Sequence, residues 1–148
     1  MTRVEAQPFD AARELAAFVA RVDGAGAVAS FVGLVRGGSG GDELSVLELE
    51  HYHPLTERTV AAIGAEARDR FALIGHVILH RTGSLAPGEP IVFVAAAATH
   101  RRAAFEAVDY MMDRLKTEAP FWKREHGPNG SRWMEARDGD LRDRARWG

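Results

Sequence analysis

The sequence predicts an α+β fold with a largely antiparallel sheet and three helices. Helical and extended patterns follow one another in the order helix–strand–strand–helix–strand–strand–helix–strand–strand. Most strands therefore neighbour another strand in sequence and can pair antiparallel. A length of 148 residues, 46% of them hydrophobic, suits one domain over residues 1–148 with a buried core.

The first third of the chain predicts a helix, a strand and a loop. Asp10 can cap the helix, and Asp23-Gly24 ends it. Apolar residues recur within it at helical spacing, at Leu15, Phe18, Val19 and Val22. Residues 26–35 are apolar and rich in β-formers, which predicts a strand, and five small residues at 37–41 predict a loop.

The middle of the chain predicts a strand followed by a helix. Residues 44–53 predict a strand, because Leu47 and Leu49 alternate with Glu48 and Glu50 at the period of a strand. Pro54 then begins a second helix that extends to about residue 70.

The last part predicts two strands, a third helix and two short strands. The strands cover 73–81 and 90–98, and Thr99 can cap a helix over 100–118. The apolar stripe of this helix consists of Phe105, Val108, Met112 and Leu115. Short strands follow at 121–126 and 131–136. We expect residues 136–148, which are mostly Arg and Asp, to form a flexible tail.

Charge and composition exclude several functional classes. The net charge is −2 and the pI is about 6.3, which gives no basic surface for nucleic acid or an anionic membrane. The N-terminus lacks the pattern of a signal peptide and no apolar run could span a bilayer, so we expect a cytoplasmic protein. The chain has no cysteine, which excludes disulfides and thiolate chemistry on its own side chains.

Two lysines flank a proline that ends the third helix. Lys116 precedes Pro120, and Lys123 follows it after an aromatic pair. Lysines beside aromatic walls can act as an acid/base pair or bind anions, although solvated surface lysines would give the same pattern.

Cations also lie at the predicted start of the third helix, at His100, Arg101 and Arg102. The helix dipole disfavours them there unless an anion binds, in which case backbone N–H groups and a guanidinium converge on a phosphate. The alternative is that the arginines point into water.

Histidines raise the possibility of a metal site. His51 and His53 share one face of a predicted strand, and His80 lies on another strand. No recognised histidine–carboxylate spacing accompanies them, so ordinary surface or packing histidines are the favoured interpretation, and no metal or cofactor is expected.

The segment Asp-Arg-Leu-Lys-Thr-Glu-Ala-Pro-Phe-Trp-Lys-Arg-Glu, residues 113–125, resembles the signature of the catalytic (large) subunit of molybdopterin synthase. The resemblance covers nearly the whole chain. Further matching blocks lie at 26–36, 47–52, 80–83, 88–89, 99–107 and 130–133.

The resemblance implies an α/β-hammerhead fold, a homodimer and a sulfurtransferase. The substrate would be cyclic pyranopterin monophosphate, and its product the dithiolene of molybdopterin. Sulfur would come from the C-terminal thiocarboxylate of a small ubiquitin-like partner ending in Gly-Gly, with two partners on one dimer.

The resemblance also assigns site residues. Lys116 and Lys123 would be catalytic as well as substrate-binding. The remaining substrate-binding residues would be Leu34, Val35, Arg36, His100, Arg101, Arg124 and Glu125, and Arg137 resembles an arginine that reaches the neighbouring subunit's site. Some family members have a lysine where this chain has Leu34.

Two other functions compete with this interpretation. A non-catalytic adaptor that binds a ubiquitin-like tail would need the tail channel without the phosphate cluster. A metal-dependent enzyme would use the histidines.

Overall fold

The structure is a computed structural model that describes residues 1–37, 46–128, 130–134 and 138–148, without the side chains of residues 132, 134 and 138. Its elements, in chain order, are β1 (Thr2–Glu5), α1 (Ala11–Arg21), β2 (Ala27–Leu34), β3 (Val46–His51), α2 (Leu55–Phe71), β4 (Gly75–Arg81), β5 (Gly83–Leu85), β6 (Pro90–Ala98), α3 (Arg101–Glu118), β7 (Phe121–Gly127), β8 (Gly130–Met134) and α4 (Asp138–Ala145). No helix in these ranges is both long and apolar enough to cross a membrane.

The strands form two four-stranded sheets. The first has the order β1-β4-β6-β2 and the second the order β5-β3-β7-β8. β1 pairs parallel with β4, and the other pairs are antiparallel. The prediction of an α+β fold with a largely antiparallel sheet is confirmed, with a fourth helix beyond the three expected.

The core lies on both faces of the first sheet. On one face Phe18 of α1 packs against Phe93 and Leu79. On the other face α2 and α3 contribute Ile63 and Met111 to a cluster that continues into the second sheet. Each such side chain contributes about 1.5–3 kcal/mol through burial. The shared core fixes the α3–β7 connection relative to both sheets.

Helix caps agree with the sequence at α1 and differ at α3. The Asp10 carboxylate accepts a hydrogen bond from the Arg13 N–H at 3.2 Å, as predicted. Thr99 is not the cap, because the N-cap residue is His100, whose side chain makes no capping hydrogen bond. The neighbouring β2 approaches so closely that a Cβ on Gly26 would lie 2.1 Å from the Thr99 carbonyl oxygen. β6 ends at Ala98, Thr99 and His100 connect the strand to the helix, and α3 begins at Arg101.

Two residues assigned to apolar stripes face outward. Phe105 is 62% exposed and Val19 is 53% exposed. The buried stripe of α3 passes through Ala104, Val108 and Met111, which leaves Phe105 beside the stripe and outside the core.

The predicted flexible tail requires the largest correction. Residues 138–148 form α4 and a turn that pack on α3. The Asp113 carboxylate accepts hydrogen bonds from the Arg146 guanidinium at 2.7 Å and the Trp147 indole at 2.6 Å. The Trp147 ring also packs edge-on against Phe71 and Tyr110. The polar composition suggested fraying because it did not reveal that α3 supplies the charge partners.

Candidate functional site

The break between α3 and β7 is held by a buried hydroxyl. Thr56, in the first turn of α2, donates a hydrogen bond to the Pro120 carbonyl at 3.0 Å and accepts one from the Tyr52 N–H at 2.9 Å. Its side chain is fully buried. Pro120, between the two lysines, is therefore anchored to the start of α2.

Lys123 lies on the inner face of β7. Its register partner on β3 is Leu49, which is 1% exposed. Glu125 shares this face because side chains alternate along a strand. Arg124 points to the other face, where its guanidinium lies 4.4 Å from the centre of the Trp133 ring. The predicted division of these three residues between two faces is confirmed.

His80 joins the two lysines into one electrostatic group. It is buried at the end of β4, its ring stacks on Phe121 at 3.9 Å, and its Nδ1 donates to the Arg81 carbonyl. Burial lowers the pKa of His80 to about 3, with the positive charges of Lys123 and Lys116 acting in the same direction. His80 is therefore neutral at physiological pH, beside both lysines.

The sequence drew attention to His80 only as a possible metal ligand. Its place at the end of an apolar strand, within a matching block of the resembled family, was the signal that could have associated it with the lysines.

Arg36 follows a firmly held strand end. The preceding Val35 is 5% exposed, donates its N–H to the Glu89 carbonyl at 2.9 Å and accepts from the Gly88 N–H at 2.7 Å. Glu89 in turn pairs with the buried Arg81 at 2.7 Å. The Val35 N–H and carbonyl are thus both hydrogen-bonded within the chain, and the contact of Val35 with the substrate stays a prediction. Leu34 and Arg36 are exposed.

His100 and Arg101 lie far from this group. Ala27 pairs with Ala98 and Leu34 with Pro90, so Arg36 and His100 are at opposite ends of the β2–β6 pair. Seven strand steps span about 23 Å. The fifteen helical steps from Arg101 to Lys116 likewise span about 22 Å. One chain brings Arg36, Lys116 and Lys123 to one end and leaves His100 and Arg101 at the other.

Two predicted features lie outside the described residues. Arg137, expected near the neighbouring subunit's site, is one of them. The other is most of the small-residue loop, of which the structure describes Gly37.

Comparison with known proteins identifies relatives along the whole chain. Residues 4–118 match the family model described as MoaE protein. The molybdopterin synthase catalytic subunit of Caulobacter vibrioides is 51% identical over 141 residues, covering 95% of this chain and 93% of the relative.

Solved structures resemble the fold as well. The molybdopterin biosynthesis MoaE protein of Burkholderia ambifaria superposes with a TM-score of 0.85 at 45% identity, covering 100% of this chain and 97% of the other. A chain from the complex of subunits 1 and 2 of Helicobacter pylori molybdopterin-converting factor shares the fold, with a TM-score of 0.76 at 21% identity and coverage of 92% and 91%.

Proposed function

This chain belongs to the MoaE protein family and is a molybdopterin synthase catalytic subunit, and from this premise we propose which residues carry its reaction. Lys116 and Lys123 are the catalytic pair. The observation that carries this assignment is their common position at one end of the molecule, on either side of the α3–β7 break that Thr56 anchors through Pro120.

Sulfur must arrive from outside the chain, because the chain has no cysteine. The donor is the C-terminal thiocarboxylate of a small ubiquitin-like subunit, and the acceptor is cyclic pyranopterin monophosphate. Two sulfurs form the dithiolene, so two loaded tails visit each site in turn. A Gly-Gly tail suits a narrow channel because it has no side chains. This biosynthetic reaction takes place in the cytoplasm.

The lysines can promote the transfer in three ways. They can move protons, stabilise oxyanions that develop as the thiocarboxylate reacts, or attach the substrate transiently. The neutral His80 beside them supplies no competing positive charge. Arg36 lies at the same end and is available for the substrate phosphate.

A second copy of the chain completes the set of residues that binds the substrate phosphate. His100 and Arg101 are about 22 Å from Lys116 along α3, too far to contact the same small substrate within one chain. In a two-fold symmetric dimer, each site can take its lysines and Arg36 from one copy and His100 and Arg101 from the other.

The edge strand β2 supports this arrangement. It lies at the edge of the first sheet and exposes Phe31 by 41%, Val32 by 37% and Leu34 by 55%. An apolar edge strand is a typical protein interface. A two-fold axis beside β2 brings the Ala27 end of one copy, close to His100, towards the Leu34 end of the other, close to Arg36.

The direct test of the function is single-turnover dithiolene formation from precursor and thiocarboxylated partner. Lys116→Ala and Lys123→Ala should each reduce turnover strongly and change substrate affinity less, because a group that acts in the transition state affects turnover first. Circular dichroism confirms that each variant is folded. Near wild-type rates in both variants would falsify the catalytic assignment.

The shared site is tested by mixing two impaired variants, at a precursor concentration too low for Arg101→Ala to bind it. Lys116→Ala and Arg101→Ala homodimers, exchanged into a random mixture, form mixed dimers with one intact and one doubly altered site. Half of the dimers then carry one working site of two, so activity should recover to about one quarter of wild type. If no activity returns although exchange is complete, the lysines and Arg101 serve the same chain's site.

A further inference from the structure

We propose that His51, His53 and Glu57 form a binding site for a divalent transition metal such as Zn²⁺. One ligand atom from each of the three side chains lies within 4.8 Å of the others. The three residues come from the end of β3, the connection after it and the first turn of α2. This inference does not depend on the proposed catalytic role of the lysines.

The separations suit an ion after a small adjustment. His51 Nε2 lies 3.9 Å from Glu57 Oε1, and His53 Nδ1 contacts Glu57 Oε2. Zinc ligands at about 2.0–2.2 Å from the metal lie roughly 3.3–3.6 Å from one another in a tetrahedral site. Bringing the three ligand atoms to these separations therefore requires rotation of side chains, for which the 77% exposed His53 has room.

An unsatisfied carboxylate oxygen points to the missing ligand. Glu57 Oε1 is buried and makes no hydrogen bond, while Oε2 is the oxygen that His53 contacts. Buried carboxylate oxygens normally have a partner. The distance from Oε1 to His51 Nε2 is too long for a hydrogen bond, and an ion between these two atoms would satisfy both.

The ligand chemistry selects the class of metal. Two imidazoles and one carboxylate favour Zn²⁺ and neighbouring transition metals over Mg²⁺ and Ca²⁺, which prefer oxygen ligands. Three protein ligands leave a further position for water.

The sequence pattern placed His80 with His51 and His53, whereas the third side chain beside these two histidines in the structure is Glu57. His80 is stacked on Phe121 and is not a member of the cluster, and Glu57 was not considered. A bound ion would tie the end of β3 to the first turn of α2, next to Thr56 and its hydrogen bond to Pro120.

Calorimetric titration of ZnCl₂ into the full, untagged chain, dialysed against chelator, tests the proposal. We expect one Zn²⁺ per chain and an increase in melting temperature, because binding to the folded state alone stabilises it. His53→Ala and Glu57→Gln should each weaken binding by at least roughly tenfold, the loss expected for removing even an outer-shell partner.

His126→Ala is the matched control. His126 also lies on a strand and pairs with a carboxylate, Glu48, at 2.9 Å, but among the described residues it belongs to no set of three metal-binding side chains whose ligand atoms lie within 4.8 Å of one another. This variant should bind Zn²⁺ like the wild type. The proposal is overturned if wild type binds no Zn²⁺ at millimolar concentration, or if binding survives in His53→Ala and Glu57→Gln alike. His53 is exposed, so its variant tests the site without disturbing the core.

Discussion

Thr56→Val tests whether the anchored break between α3 and β7 matters. Valine keeps the shape of threonine and removes its hydroxyl, so the Pro120 carbonyl loses a donor and the Tyr52 N–H loses an acceptor. Each of these part-buried groups costs about 1–1.5 kcal/mol when unpaired, which sums to about 2–3 kcal/mol. For a chain of this length, the melting temperature should fall by about 4–12 °C.

Thermal denaturation at one fixed protein concentration measures the loss, with single-turnover sulfur transfer as the second assay. Thr56→Ser is the control, because serine retains the hydroxyl and should keep most of the stability. Transfer should fall in the folded Thr56→Val protein at a temperature well below its transition, since Pro120 lies between the two lysines. A valine variant as stable and as active as the serine variant would refute the anchoring role.

Three further predictions concern the phosphate-binding residues, the buried His80 and the ubiquitin-like partner. Arg101→Ala should weaken precursor binding by about 1.5–3 kcal/mol, and by more at low salt, whereas Arg102→Ala should have a far smaller effect. Calorimetric titration measures both affinities. If Arg101→Ala binds the precursor as tightly as the wild type, the phosphate site lies elsewhere. Below pH 6.5 His80 binds a proton in the unfolded chain but stays neutral in the folded chain, where its pKa is about 3. The free energy of unfolding therefore falls as the pH drops from 6.5 towards 3, and the contribution of His80 is complete above pH 6.5. The loss from this residue is about 2 kcal/mol at pH 5, and denaturant titrations across this range should give a flatter pH dependence for His80→Phe. Replacing the partner's final glycine with a bulky residue should block sulfur transfer, because the tail would no longer fit a narrow channel. Light scattering of the unmodified mixture should report a four-chain assembly. If the two proteins stay separate and a bulky tail still transfers sulfur, the tail does not enter such a channel.

Local patterns predicted the longer elements well. The β6 strand is a continuous apolar run and the helix that follows it has apolar residues at helical spacing, and both lie within one residue of the expected bounds. The strand Thr2–Glu5 and the three-residue strand Gly83–Leu85 were missed, because so few residues show no clear period. Their positions depend on pairing with distant strands, which sequence alone does not specify.

The candidate site was predicted in its residues and not in its arrangement. Motif resemblance selected the lysines on either side of Pro120, and strand alternation separated Arg124 from Lys123. The separation of Arg101 from Lys116 follows from the predicted helix itself, whereas the approach of Arg36, Lys116 and Lys123 to one another depends on α3 returning across the sheet, which no local pattern reveals. The contribution of His80 was likewise hidden, because it arises from burial and stacking across two sheets.

The docking of residues 138–148 changes how damage to this end of the chain should be interpreted. Asp113 lies one turn before Lys116 on α3, and its carboxylate forms an ion pair with Arg146 and accepts a hydrogen bond from the Trp147 indole. Glu118, in the last turn of the same helix, pairs with Arg144 at 3.1 Å. A frameshift or proteolytic cut after residue 137 would remove the Arg146 and Trp147 partners of Asp113 and leave Glu118 paired with Arg114 alone, on the helix that carries the proposed catalytic Lys116. A genetic screen for lost cofactor synthesis would then recover such truncations although no residue of the segment need touch the substrate.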